Sequence, residues 1–211
     1  QATPTVEEAE ACLLAAICRK GLDCLDWGKR AHRLRQRIAF LHAHTPDDWP
    51  DVSDEALLSA LEDWLAQFIA GAASLAQIGG DRLAAGLDFL LAQQGKSAAA
   101  VDKALPETYL TPAGSNVALR YEGDQAVLAV RVQELYGLAA HPAIAGGTIP
   151  LTLELLSPAH RPIQVTKDLP GFWSGSWKDV RIEMRGRYPR HVWPEDPAHA
   201  APTTRAKPRG E

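Results

Sequence analysis

The residues of this chain best suited to surface chemistry lie near its end, where Arg181, Arg185, Arg187, Tyr188, Arg190, His191 and Trp193 fall within one short stretch. An arginine fork pairs bidentately with phosphate oxygens, and an exposed Tyr or Trp stacks a base for about 1–3 kcal/mol, so the composition suits single-stranded RNA. The same tract admits a packing role. Trp173, Trp177 and Trp193 can clamp the C-terminal segment onto a sheet while the arginines pair with Asp168, Asp179, Glu183, Glu195 or Asp196. Both readings stay open on the sequence. Charge favours this end as the one facing a polyanion: residues 161–211 hold 10 Lys and Arg against 6 Asp and Glu, whereas residues 1–160 hold 12 against 20.

Other constellations read as structure. No Gly-rich run ends in Gly-Lys-Ser or Gly-Lys-Thr, the loop whose amides and lysine cradle nucleotide phosphates, so the chain alone is expected to hydrolyse no ATP. No catalytic residue is assigned. Asp54-Glu55-Ala56-Leu57 resembles an Asp-Glu-Ala-His helicase box in its letters, but it opens an amphipathic helix, which assigns its acids to capping and to the helix dipole. There is no Gly-x-Ser-x-Gly elbow, His-x-x-x-His or Cys-x-x-Cys pair, so no metal site is expected. Cys12, Cys18 and Cys24 diverge on a helix, as do His42 and His44. Gly146-Gly147 precedes a strand and reads as a turn.

The elements that must position these residues divide by periodicity. Val6, Ala9, Leu13, Ala16 and Ile17 make one stripe of a helix over residues 6–20, stopped by Gly21. A second helix over 28–44 buries Leu34, Ile38 and Leu41 and leaves Lys29, Arg30, Arg33, Arg35 and Arg37 in solvent. After Pro50, an N-cap at Asp51 or Ser53 begins a helix to about Ala70 with Leu57, Leu61, Trp64, Leu65 and Phe68 inward. A helix after Asp81 and a shorter one near 98–105 complete an all-helical half.

From Pro106 the period changes to two. Val117, Leu119 and Tyr121, then Gly123-Asp124, then Val127 to Val132 predict a β-hairpin. A short helical piece follows at Gln133 to Gly137, and residues 148–168 form a second hairpin turning at Ser157 to Arg161. A helix over about Ser176 to Arg185, capped by Ser174 or Ser176, leads into an extended Pro-rich path. The expected class is α+β: a helical half, then a small antiparallel sheet of two hairpins with a C-terminal helix and an extended basic tail. The expected divisions are residues 1–105, 106–197 and a flexible tail at 198–211.

A chain that opens at Gln1 and carries its single methionine at Met184 is expected to come from a larger parent. No apolar run approaches a membrane span, so a cytoplasmic location is expected.

Residues 127–177 and 180–209 resemble the C-terminal end of the HrpB family of DEAH-type RNA helicases. The match rests on Arg131-Val132-Gln133-Glu134-Leu135, Leu155-Leu156-Ser157-Pro158, Gln164-Val165-Thr166, Gly171-Phe172-Trp173 and Gly186-Arg187-Tyr188-Pro189. The helical half is similar through Trp49-Pro50-Asp51 and Leu61-Glu62-Asp63-Trp64-Leu65, whereas Pro106-Glu107-Thr108-Tyr109 and Ala113 depart from the family pattern. The resemblance implies motor domains in the parent that bind ATP and Mg, with no cofactor in this region. It also implies partners: those motor domains in cis, single-stranded RNA, or an unidentified protein.

Overall fold

The computed structural model of the chain describes residues 5–205, the side chain of Val6 aside. The chain divides into two compact units, Gln1–Lys103 and Ala104–Glu211.

In the first unit, α1 (Val6–Lys20) begins with a reciprocal cap: Thr5 Oγ1 accepts from the Glu8 N–H, and Glu8 Oε2 accepts from the Thr5 N–H. It stops at Gly21, whose φ of 80° a side chain would resist. The helix α2 (Gly28–His44) buries Ala31, Ile38, Phe40 and Leu41. Lys29, Arg30 and Arg33 are exposed as expected, whereas Arg35 and Arg37 are half-buried. Arg35 lies over the Trp27 ring at 4.7 Å, donates to the Val52 carbonyl and pairs with Asp54, while Arg37 pairs with Asp102 at 3.2 Å. Their long stems cover apolar surface while the heads meet acids.

The single helix expected up to about Ala70 is two helices, α3 (Asp54–Ser59) and α4 (Leu61–Leu65), broken at Ala60 with ψ 21°. The cause is non-local in the ladder. The Trp64 indole N–H donates to the Leu57 carbonyl at 2.9 Å and so occupies the acceptor that would continue the helix through Leu61. Ser53 caps α3 by accepting from the Ala56 N–H, so Asp54 and Glu55 occupy a first helical turn. Trp64 is fully buried and meets α5 (Gly80–Gln93) at Gly86; α6 (Ala98–Ala104) follows.

Cys12 and Cys18 are exposed and Cys24 is half-buried, all free. His42 bonds the Trp49 carbonyl whereas His44 lies against Phe40, so the two do not converge.

The second unit holds β1 (Thr108–Leu110), β2 (Asn116–Glu122), β3 (Gln125–Arg131), β4 (Ala143–Ile144), β5 (Ile149–Pro150), β6 (Thr152–Leu156) and β7 (Pro162–Thr166). The two expected hairpins are present as β2–β3 and β6–β7. Gly123 supplies the φ of 59° that a tight primed turn needs. The sheet is mixed, however, and not wholly antiparallel: its order is β1-β2-β3-β6-β7, and β3 runs parallel to β6 from Val127↔Thr152 to Arg131↔Leu156. A parallel neighbour needs a long crossover, and residues 132–151 provide it, with a small β4–β5 ladder turning at Gly146 and Gly147.

Two helices follow β7. Asp168 caps α7 (Leu169–Ser174) by accepting from the Gly171 N–H, and α8 (Trp177–Arg187) comes next. Neither Ser174 nor Ser176 caps α8 through its side chain: Ser174 Oγ donates to the Pro170 carbonyl and Ser176 Oγ to Gln164 Oε1.

Residues 197–204 are tied to the crossover. Gly137 N–H donates to the Pro197 carbonyl, Thr203 N–H to the Gln133 carbonyl and Arg131 Nη1 to the Thr204 carbonyl. The rest of the expected flexible tail, 206–211, lies outside the described residues. Among the described residues no helix is long and apolar enough to cross a membrane.

Candidate nucleic-acid interface

Trp177, Arg181 and Met184 share one stripe of α8, with Trp177 and Met184 buried. Arg185 and Arg187 flank that stripe on opposite sides and are exposed. The helix ends at Tyr188 because Pro189 disfavours helical backbone in the residue before it; Tyr188 takes φ −130°, ψ 63°.

Beyond Pro189 the segment cannot pair as an ordinary strand, so its carbonyls need other donors. Side chains supply them. Trp193 Nε1 donates to the Tyr188 carbonyl at 2.9 Å, Tyr136 Oη to Val192 at 3.2 Å, Arg181 Nε to Trp193 at 3.0 Å and Trp177 Nε1 to Pro194 at 3.0 Å. Arg181 Nη2 also pairs with Glu195 at 2.9 Å.

Beneath lies an aromatic cluster in which Trp177 meets Trp173, Tyr136, Phe172 and Trp193 with centroids 5.4, 5.8, 6.0 and 6.1 Å away. Burial pushes the Tyr136 phenol far up, so it stays a neutral donor. Trp193 is 6% exposed, which removes it as a stacking platform for a base.

The six residues expected to touch nucleic acid therefore separate by environment. Arg181 holds residues 193–195. Tyr188 is half-buried, with its Oη 3.3 Å from Ser157 Oγ and its ring edge-on to His191. His191 is half-buried beside Gln133, 3.1 Å from Nδ1 to Nε2, so the neutral ring accepts from the amide. Burial, then Arg131 and Arg190, hold the His191 pKa below its usual value. Arg185, Arg187 and Arg190 remain exposed. Arg187 pairs with Glu183 at 3.0 Å, but with both side chains largely in solvent such a helical pair contributes only about 0.3–0.5 kcal/mol and yields readily to a phosphate.

Sequence reasoning missed Tyr136, Gln133 and Ser157, whose polar atoms hold this end together. Their positions lie on a crossover and a turn, where no periodicity marks a buried polar residue. Among the described residues no group of three His, Cys, Asp or Glu side chains is placed to hold a metal ion.

The model of the HrpB_C family, ATP-dependent helicase C-terminal, matches residues 64–197. The chain is 45% identical over 212 aligned positions to the ATP-dependent RNA helicase HrpB of Escherichia coli strain K12, covering 98% of this chain and 26% of that protein. It is similar to the crystal structure of the E. coli DExH-box NTPase HrpB, with a TM-score of 0.69 and 45% identity over 97% of this chain and 25% of that one. A second crystal structure, of the E. coli DEAH/RHA helicase HrpB, gives a TM-score of 0.62 and 42% identity over 91% of this chain and 24% of that one. The chain thus spans about a quarter of the length of these relatives. The family model covers more than half of the sequence, and the basic, aromatic end up to Pro197 lies inside the match: the chain belongs to the HrpB C-terminal helicase family.

Proposed function

We propose that this chain is the C-terminal accessory region of a cytoplasmic ATP-dependent RNA helicase, joined in cis to motor domains that bind ATP and Mg. The catalytic chemistry belongs to those domains. This region contributes by holding single-stranded RNA against the protein.

The observation that carries the reading is the division of labour at α8. Arg181, Tyr188, His191 and Trp193 fasten the segment, and that fastening presents Arg185, Arg187 and Arg190 to solvent on a fixed frame. Three cations on a rigid support favour contact with phosphates over base readout, because Trp193 is buried and Tyr188 is half-buried against Ser157 and His191. Binding is therefore sequence-tolerant and falls as salt rises, since each neutralised phosphate releases counterions. Titrating the chain with labelled single-stranded RNA should show weak binding at low salt that fades at moderate salt. No binding at either condition contradicts direct contact.

The same clamp favours a second reading, in which the region only braces its parent or docks another protein. In that case the three arginines are dispensable for RNA affinity.

A further inference from the structure

The turn between β6 and β7 carries a cation, Arg161, that lies outside the Arg181–Trp193 tract. Ser157, 2% exposed, organises it from inside: its N–H donates to the Arg161 carbonyl at 2.8 Å, and its Oγ accepts from the Arg161 N–H at 3.1 Å. His160 and Arg161 face solvent, His160 with a left-handed φ of 58°. The same Ser157 Oγ lies 3.3 Å from Tyr188 Oη. A buried hydroxyl is thus the joint between this turn and the C-terminal end of α8.

Charge is one-sided on the turn and the strand after it. Ser157 to Lys167 contains no Asp or Glu, and the Arg161 guanidinium pairs with no described residue. The joint therefore ties the turn that carries Arg161 to the end of the helix that carries Arg185 and Arg187, although the two segments are distant in sequence.

We infer that the Ser157–Tyr188 joint aligns Arg161 with Arg185, Arg187 and Arg190 as one phosphate track for a single RNA strand. The inference rests on the RNA reading above. Ser157 and Tyr188 are positioning residues in it, and Arg161 is the added contact.

The test is titration of the full chain with labelled oligouridine over a series of salt concentrations. Arg161→Ala keeps both bonds to Ser157, because they use its backbone, and should lower the salt slope by about 0.7. The variant with Arg185, Arg187 and Arg190 all changed to Ala should lower it by about 2. Tyr188→Phe keeps the ring and every charge but removes the joint, so Arg161→Ala should cost less affinity in that background than in the native chain.

An unchanged slope for Arg161→Ala, with a lowered slope for the triple variant, overturns the track and leaves the RNA reading standing. An equal cost of Arg161→Ala in both backgrounds overturns the joint. An unchanged slope in every variant overturns the track and the RNA reading together.

Discussion

At His191 one ring records how the C-terminal segment is held. Neutral Nδ1 accepts from the Gln133 amide, and protonation would turn that acceptor into a donor facing a donor while adding a charge beside Arg131 and Arg190. Burial and those two arginines depress its pKa in the folded chain, so the unfolded chain takes up the proton first as pH falls. No penalty exists well above the ordinary histidine value of about 6.5; the penalty grows as pH drops through that value and is complete below the depressed folded one. Urea unfolding of the native chain and of His191→Gln at about pH 7.5 and pH 5.5 should therefore show a larger loss of stability on acidification in the native chain. Equal losses would mean that the ring is not linked to folding.

Among the elements, α5 shows how a helix is chosen by its neighbour against local preference. Gly in a helix interior costs about 1 kcal/mol relative to Ala, so Gly86→Ala would stabilise an isolated helix. In the folded unit a Cβ there would sit 2.5 and 2.7 Å from carbons of the Trp64 ring and 3.0 Å from its carbonyl oxygen. That indole cannot move aside cheaply, being fully buried and tied to the Leu57 carbonyl. Overpacking of about 1–3 kcal/mol therefore outweighs the propensity gain, and a denaturant titration should find Gly86→Ala less stable than the native chain. A more stable variant would contradict this packing.

The same helices mark where local reading ends. The span of α1, its stop at Gly21 and the cap at Ser53 were legible because each depends on residues within a few positions. The break at Ala60 was not, since it depends on where an indole N–H finds its acceptor. Nor was the parallel β3–β6 pairing, which is decided by the path of a crossover and not by alternation within either strand. At the candidate interface the sequence showed a basic, aromatic tract and left its role open. Which rings turn inward was hidden, because Tyr136, Gln133 and Ser157 decide it from elsewhere in the chain.

For the whole molecule, the net charge of −4 conceals a basic C-terminal end on a sheet-bearing unit whose last segment is fastened by side-chain donors in place of strand pairing. Nothing in that fastening uses Arg185, whose side chain pairs with no described residue, and Arg187 is held only by an exposed helical pair. These side chains can consequently be removed at little cost to stability, which makes function separable from folding.

Labelled single-stranded RNA should accordingly be titrated at low salt against the native chain and the chain with Arg185, Arg187 and Arg190 replaced by Ala, with urea unfolding run on both. The RNA reading predicts a loss of affinity of about tenfold or more in a variant that the unfolding curve shows to be folded. Unchanged affinity in a folded variant would contradict it and leave bracing or protein docking as the work of this end of the chain.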